Sequence, residues 1–249
     1  METTGSVATL LYHHVGPVCP PACRGLTIEP SAFARQMSTL SAMGYTAILP
    51  DDWAAYVRGE KDVPPRSVMI TFDDAYADLC KYAFPVLEKH GLPATVFVPT
   101  ALVGAEIKCS PRDSTAALPL MRSEEILKWA ARGVTYGAHS RTHADLTTLD
   151  LPAATDEIVG SGDDLARMIG APVTSFAYPY GKYNGELASV VAQNFSTAFT
   201  IEEGLNDRSI PLSALHRTMV QNNDSLVDVL LRARYGKSVI QRLRTAVHI

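Results

Sequence analysis

Two groups of residues in this chain have the types and spacing that metal chemistry requires. Asp73 and Asp74 directly follow an apolar run, and His139 and His143 follow another. Adjacent carboxylates at the end of a buried strand are unfavourable unless something compensates their charge. Histidines four positions apart point the same way if the chain makes one helical turn between them.

Together these residues suggest a reaction type. One carboxylate and two imidazoles form a three-ligand set that leaves a metal open to water and substrate. The other carboxylate is then free to act as a general base. The pattern is typical of a metal-dependent hydrolase.

The rest of the chain supplies the elements that would position these groups. Short apolar runs alternate with longer amphipathic segments, which is the pattern of repeated βα units. The candidate strands are Val7–His13, Thr46–Leu49, Ser67–Phe72, Ala94–Pro99, Val134–Ala138, Ser175–Ala177, Ser196–Thr200 and Leu215–Val220. The candidate helices run from Ser31 to Gly44, from Asp78 to His90, from a capping box opened by Ser123 to Gly133, and over Ala153–Ile169, Gly185–Gln193, Ser225–Arg234 and Lys237–Ala246.

Seven or eight such units predict an α/β fold, namely a distorted or incomplete (β/α) TIM-like barrel of seven to eight strands, formed as a single domain over residues 1–249. The chemistry of such barrels sits at the C-terminal ends of the strands, where both acidic and histidine motifs fall. The segment Val103–Met121 is predicted to be a long irregular loop, and we expect it to form a lid or a wall of the substrate site.

The composition and net charge limit the classes of partner that the protein is expected to bind. With 47% hydrophobic and 19% charged residues, the 249-residue chain fits a globular protein with a sizeable core. A net charge of -4 argues against nucleic acid or an anionic membrane surface as a partner. No apolar run approaches the ~20 residues that span a bilayer. The first residues lack the features of a signal peptide, so we expect a cytoplasmic protein. The sequence does not indicate the oligomeric state.

The four cysteines are Cys19, Cys23, Cys80 and Cys109. Their spacing matches no zinc motif, and we expect reduced thiols. A disulfide between Cys19 and Cys23 is the alternative.

Four motifs resemble those of a known family. TFDD at 71–74 and HSRTH at 139–143 resemble the first two motifs of the polysaccharide deacetylases, carbohydrate esterase family four. FAYPYG at 176–181 resembles the third, and YHHV at 12–15 is similar to the poly-N-acetylglucosamine deacetylase-like branch. The resemblance covers nearly the whole chain, and the order and separation of the first two motifs make it specific.

The resemblance implies roles for individual residues. Asp74, His139 and His143 would bind a divalent metal, with zinc expected first and cobalt or nickel as alternatives. Asp73 would be the general base that takes a proton from the attacking water. The backbone N–H of Tyr180 would stabilise the oxyanion. We expect Tyr178, Pro179 and Tyr180 to line the substrate site.

The chain also departs from the family pattern. Ala177 stands where the usual third motif has an arginine that braces the base, and no Asp-x-x-Asp-Trp fourth motif is present. Asp73 therefore has no identified partner.

Two histidines compete for the role of general acid. His216 belongs to the nearest match to the fifth motif and is expected inside a strand. His13 ends the first strand. We expect His14 to be structural and Arg141 to be solvated.

The resemblance implies a metal-dependent hydrolase that removes N-acetyl groups, giving acetate and a free amine. Its substrate would be a small molecule or an oligosaccharide, with an N-acetylglucosamine-containing glycan or sugar conjugate favoured. One alternative is a related amidohydrolase acting on a non-sugar or cyclic amide. Another is a catalytically silent binding protein that kept the metal site, motivated by the missing arginine.

Overall fold

The computed structural model describes residues 5–17, 21–110 and 113–238, without the side chains of 109, 110 and 113–116. Its strands are β1 (Ala8–Tyr12), β2 (His14–Val15), β3 (Thr27–Ile28), β4 (Thr46–Ala47), β5 (Ser67–Phe72), β6 (Thr95–Val98), β7 (Glu106–Ser110), β8 (Asp113–Pro119), β9 (Thr135–Ala138), β10 (Ser175–Ala177), β11 (Thr197–Phe199) and β12 (Thr218–Met219). Its α-helices are α1 (Pro30–Ala42), α2 (Pro50–Val57), α3 (Leu79–Tyr82), α4 (Phe84–His90), α5 (Ser123–Ala130), α6 (Leu151–Ile169), α7 (Gly185–Asn194) and α8 (Leu226–Tyr235).

The main sheet is parallel and curls into a barrel. Its strand order is β11-β10-β9-β6-β5-β1-β12, with β4 paired to the start of β5. Leu215 forms a parallel bridge with Phe199 of β11, and Thr218 of β12 pairs with Leu10 of β1. The segment 215–219 therefore spans the gap between β11 and β1. The predicted distorted (β/α) barrel is confirmed.

Side-chain alternation along the strands separates two packing regions. Val68, Ile70 and Phe72 of β5 belong to a buried cluster that also includes residues of the surrounding helices. Met69 lies between Val68 and Ile70 and belongs to a different cluster, which includes Phe97 and inward-facing residues of other strands. This period of two is the geometry of a strand covered on both faces. Asp73 is an even number of positions from Met69, so its side chain points to the same side of the sheet, which is the inside of the barrel.

The predicted helix Asp78–His90 is interrupted. It forms α3 and α4, with Ala83 between them. Pro85 has no N–H to donate to the carbonyl four residues earlier, so one continuous helix would lose a hydrogen bond there. The helix ends as expected at Gly91, which has a left-handed conformation with φ 62°.

The segment Val103–Met121 differs more from its prediction. It contains the antiparallel pair β7 and β8 rather than an irregular loop. The base of this hairpin is tied to the loop after β5, because Ala77 N donates to Pro119 O at 2.9 Å and Met121 N donates to Ala75 O at 2.8 Å. The hairpin is thus attached directly to the segment that follows Asp73 and Asp74.

Two smaller differences and one prediction that lies almost entirely outside the described residues complete the comparison. Helix α2 was not among the candidates. The capping box of α5 begins one residue early, since the Arg122 N–H donates to Glu125 Oε2 at 2.9 Å. The candidate helix Lys237–Ala246 lies almost entirely outside the described residues. No helix in the described ranges is long and apolar enough to cross a membrane.

Candidate metal and catalytic site

The three residues expected to bind metal meet at one edge of the barrel. Asp74 follows β5, while His139 and His143 lie after β9, and their ligand atoms are all within 4.8 Å of one another. Asp74 Oδ1 is 3.3 Å from His143 Nε2 and 3.7 Å from His139 Nε2. Two ligands about 2 Å from one tetrahedral ion stand roughly 3.3 Å apart. The group therefore has the dimensions of a divalent metal site.

The hydrogen bonds around the group also fit a metal. His139 Nδ1 lies 2.7 Å from the carbonyl oxygen of Ala177, which can only accept, so Nδ1 carries the proton and Nε2 is left with its lone pair. Asp74 Oδ1 is buried and has no hydrogen-bond partner among the described residues. Two imidazole nitrogens and a carboxylate oxygen suit zinc, cobalt or nickel.

Burial affects the charge of His139, one of the expected metal ligands. It lowers the pKa of His139 to about 4, although the negative charges of Asp73 and Asp74 act in the opposite direction. His139 is therefore neutral at pH 7. The neutral imidazole is the form that binds a metal.

The backbone around the site is unusual. Left-handed φ values occur at Asp74 (70°), Ala75 (56°), Ser140 (59°), His143 (58°) and Tyr180 (58°). Such values are uncommon for residues other than glycine and are tolerated where surrounding contacts hold them. All five residues lie in or next to the three sequence motifs, so these motifs specify backbone shape as well as side chains.

Asp73, the expected base, has a partner that the sequence analysis did not find. Arg217 donates from Nη1 to Asp73 Oδ1 at 2.6 Å and from Nη2 to Oδ2 at 2.8 Å. Both side chains are buried, and the guanidinium also lies over the rings of Phe97 and Phe199. Burial by itself opposes ionisation, but the Arg217 charge and hydrogen bonds outweigh it and lower the pKa of Asp73 to about 2.

The signal that could have identified Arg217 was present in the sequence. A cation in the short segment that closes a barrel needs a buried anion if its side chain points inward. Asp73 was the acid left without a partner once Ala177 replaced the usual arginine. Pairing Arg217 with Asp73 required knowing that these residues, 144 positions apart, meet inside the barrel.

The two candidates for general acid are placed differently. His13 follows β1 and lines the same cavity as Asp73 and Asp74. Burial lowers the pKa of His13, and the charges of Asp73 and Asp74 partly oppose this. His216 precedes β12 rather than lying inside a strand, and it is not among the described residues that line the cavity. Its Nε2 is instead 3.8 Å from Glu202 Oε2.

One of the three residues expected to line the substrate site, Tyr180, borders the cavity. Tyr180 lines the cavity, and its ring packs edge-on against His143 with centroids 4.7 Å apart. Tyr178 is fully buried on the outer side of the sheet, where its hydroxyl donates to the Ser213 carbonyl at 3.0 Å. Pro179 is also buried and does not line the cavity. Neither Tyr178 nor Pro179 is in the described cavity lining. For Tyr178 the reason is alternation, because Ala177 faces inward and its neighbour must face outward.

The cavity over these groups has a volume of about 560 Å³. The acids and histidines form one part of its lining. Another part is apolar and consists of Leu26, Leu102, Ile107, Ile201 and Met219. The β7–β8 hairpin supplies part of this wall, so the segment expected to be a lid or wall does border the cavity.

Three further expectations can be compared with the structure. His14 is buried, with Nδ1 3.0 Å from Thr27 Oγ1 and Nε2 3.0 Å from Asp78 Oδ2, as expected for a structural residue. Arg141 is not simply solvated, since it pairs with two acids on α6. Cys23 is disulfide-bonded, against the expectation of reduced thiols. Its suggested partner Cys19 lies outside the described residues, and Cys80 is free.

Comparisons with known proteins all point to the same family. Residues 60–198 match the sequence model of a family described as polysaccharide deacetylase. The protein YxkH of Bacillus subtilis (strain 168), named for the same family, is 26% identical over 220 residues, covering 88% of this chain and 73% of that protein. The poly-beta-1,6-N-acetyl-D-glucosamine N-deacetylase of Escherichia coli (strain K12) is 25% identical over 240 residues. That match covers 82% of this chain but only 35% of the relative.

A solved structure is also similar over nearly its whole length. The Streptococcus pyogenes deacetylase PplD, in complex with acetate, superposes with a TM-score of 0.81 and 25% sequence identity. The match covers 93% of this chain and 99% of that one. The similarity in structure therefore extends over nearly the whole of both chains.

Proposed function

The chain belongs to the polysaccharide deacetylase family, and from this premise we propose that it removes N-acetyl groups from an N-acetylglucosamine-containing glycan or sugar conjugate. The products are acetate and a free amine. The observation that carries the proposal is the convergence of Asp74, His139 and His143 beside the ionised Asp73 in one cavity. The similar N-deacetylase of E. coli and the acetate complex of the similar deacetylase PplD support the same reaction.

In this proposal Asp74, His139 and His143 hold the metal, with zinc expected first and cobalt or nickel as alternatives. A divalent ion bound there supplies Lewis-acid polarisation of the amide carbonyl and lowers the pKa of a water molecule. The His139 hydrogen bond to Ala177 O keeps Nε2 directed at the group. This fixed tautomer avoids a rearrangement when the metal binds.

Asp73 acts as the general base. The bidentate bond to Arg217 keeps it ionised and fixes the orientation of its carboxylate. Arg217, which lies just before β12, thus takes over the bracing role whose absence at Ala177 motivated the silent-binder alternative. An ionised and oriented base favours an enzyme over a binding protein.

His13 acts as the general acid that protonates the leaving amine, because it is the candidate that lines the cavity. The backbone N–H of Tyr180 stabilises the oxyanion. Tyr180 has φ 58° and ψ 9°, and its N–H is not seen to donate to any described backbone or side-chain acceptor. An amide without a partner in a fixed turn is available to the developing negative charge.

The first test is acetate release from N-acetylglucosamine oligomers and simple acetylated amines. The protein is stripped with chelator and then reloaded with zinc, cobalt or nickel. We expect metal-restored release that disappears in Asp73→Asn and persists in Asp163→Asn, a matched control because Asp163 is exposed on α6. Absence of release with every metal would reject deacetylation of these substrates.

A non-sugar or cyclic amide is the second candidate substrate, and the apolar wall of the cavity favours it. Leu26, Ile107 and Met219 offer no hydrogen bonds to sugar hydroxyls, and a buried hydroxyl without a partner is unfavourable. Turnover of acetylated aryl or cyclic amides, with none of the glycans hydrolysed, would select this candidate.

A further inference from the structure

The loop that carries both histidine ligands depends on contacts made by its backbone. Ser140 and His143 have left-handed φ values of 59° and 58°. On one side, the loop carbonyls of Ser140 and Arg141 accept from Thr100 N at 3.2 Å and Ala101 N at 2.9 Å. On the other side, the N–H groups of Arg141 and Thr142 donate towards helix α6.

A single carboxylate on α6 provides those acceptors. Glu157 Oε2 accepts from the N–H groups of Arg141 at 2.8 Å and Thr142 at 2.9 Å. Glu157 Oε1 accepts from the Thr142 hydroxyl at 2.9 Å. Both oxygens are used, and all three donors lie between the two histidines. Hydrogen bonds to a charged acceptor are stronger than neutral ones.

The side chain of Arg141 attaches the same loop to the same helix. Its guanidinium donates to Asp156 at 2.7 Å and to Asp164 at 2.8 Å. It passes over Gly160, where an added Cβ would be 2.3 Å from the guanidinium carbon. These ion pairs are partly exposed, and such pairs contribute little to stability. The Glu157 contacts are partly exposed as well, but they are made to the backbone N–H groups of the loop, so they hold its conformation more directly than the Arg141 side chain does.

We propose that Glu157 is a positioning residue for the metal site: it fixes the backbone between His139 and His143 so that both imidazoles converge on Asp74. The inference rests on the proposed metal-dependent function. Glu157 lies on α6 and contacts neither the cavity nor a ligand atom. Its effect acts through the loop conformation, which requires two residues with positive φ.

The test measures metal affinity directly. The dissociation constants of zinc and cobalt are determined for metal-free protein by competition with a chelator, together with the cobalt absorption spectrum and the Tm of the metal-free protein. Glu157→Ala should weaken metal binding roughly 10- to 100-fold, the range found when groups that orient metal ligands are removed. Glu157→Gln keeps an acceptor oxygen without the charge and should restore part of the affinity.

Asp163→Ala is the matched control, because Asp163 is an exposed acid on the same helix. Unchanged metal affinity and an unchanged cobalt spectrum in both Glu157 variants would overturn the proposal while leaving the proposed function intact. If Glu157→Ala does not fold, Glu157→Gln alone decides between these outcomes. Failure of the wild-type protein to bind zinc or cobalt would instead reject the metal-dependent function together with this inference.

Discussion

At the scale of single residues, the Asp73–Arg217 pair is the contact on which the chemistry most depends. Both side chains are buried, so neither charge is compensated by water. Removing one partner of a buried ion pair leaves the other charged and unpaired. The same contact therefore affects both stability and the protonation state of the base.

Replacing Arg217 with Gln should lower both activity and stability. Without the guanidinium, burial dominates and the pKa of Asp73 rises from about 2. The acid limb of kcat/KM should then move to higher pH, because the base is protonated over a wider range. The free energy of unfolding should fall by about 3–5 kcal/mol. A pH–rate profile and urea unfolding measure the two effects. An acid limb that stays in place would contradict the role assigned to Arg217.

The two histidine candidates can be separated by matched substitutions. His13→Gln should reduce kcat by roughly 10²- to 10⁴-fold, the usual contribution of a general acid, without weakening metal binding. His216→Gln should leave kcat nearly unchanged, since His216 does not line the described cavity. Steady-state rates and metal titrations of both variants provide the measurement. The opposite ranking of the two variants would assign the acid to His216.

The pH dependence gives a second check on His13. Burial lowers its pKa below the ordinary 6.5. The protonated form, which a general acid requires, is therefore lost at lower pH than for an exposed histidine. The alkaline limb of kcat should reflect this loss and should flatten in His13→Gln. An alkaline limb that is identical in the variant would exclude His13 as its source.

At the scale of elements, the strands position the site by alternation, and small residues make room on the inner face. Gly137 of β9 packs against Phe97 of β6, and an added Cβ would lie 2.5 Å from the Phe97 ring and 2.9 Å from the Ser175 carbonyl oxygen. Because β9 leads directly to His139, crowding here would displace a metal ligand as well as the core.

Gly137→Ala should therefore destabilise the protein by about 1–3 kcal/mol, the usual range for overpacking a core. Metal affinity should fall in parallel. Gly185→Ala is the control, because an added Cβ meets no atom within 4 Å there. That variant should be neutral or stabilised by about 0.4–1 kcal/mol. Urea unfolding of both variants tests the difference, and equal stabilities would refute the packing argument.

At the scale of the whole molecule, the buried ionisable groups link stability to pH. His139 has a pKa of about 4 in the folded protein against an ordinary 6.5, so the unfolded chain binds its proton first as the pH falls. His13 acts in the same direction. The pKa of Asp73 is about 2 in the folded protein against 3.8, which adds a loss at still lower pH.

The free energy of unfolding of the metal-free protein should therefore decrease as the pH falls from 6.5 towards 4, and further below 3.8. Zinc should raise stability at neutral pH, because it binds the neutral imidazoles of the folded state. Urea titrations at a series of pH values, with and without zinc, test both statements. A stability that is constant between pH 6.5 and pH 4 would contradict the burial of His139.

The segment that closes the barrel also supplies a residue of the candidate site. Residues 215–219 pair with β11 at one end and with β1 at the other, and the same segment supplies Arg217. Arg217 can therefore contact Asp73, the proposed base, only when the last strand has joined the first.

The sequence by itself predicted the barrel, the approximate positions of the strands of the main sheet and the three residues of the candidate metal group. These features follow from local patterns, because apolar runs identify strands and both ligand motifs lie directly after such runs. It did not predict the β7–β8 hairpin, whose serines, prolines and alanines give no strong strand signal. It also placed Tyr178 in the site, although alternation from Ala177 directs it outward.

Only the tertiary structure revealed the partner of Asp73, the placement of His13 but not His216 in the described cavity lining, and the contacts between Glu157 and the loop after β9. Each of these depends on residues far apart in the chain, such as Asp73 and Arg217, being brought together when the barrel closes. Pairing between distant charges leaves no periodic or local pattern, because its geometry exists only once the strands are in register. The motifs specify which chemistry is available, and closure of the barrel determines which residues orient it.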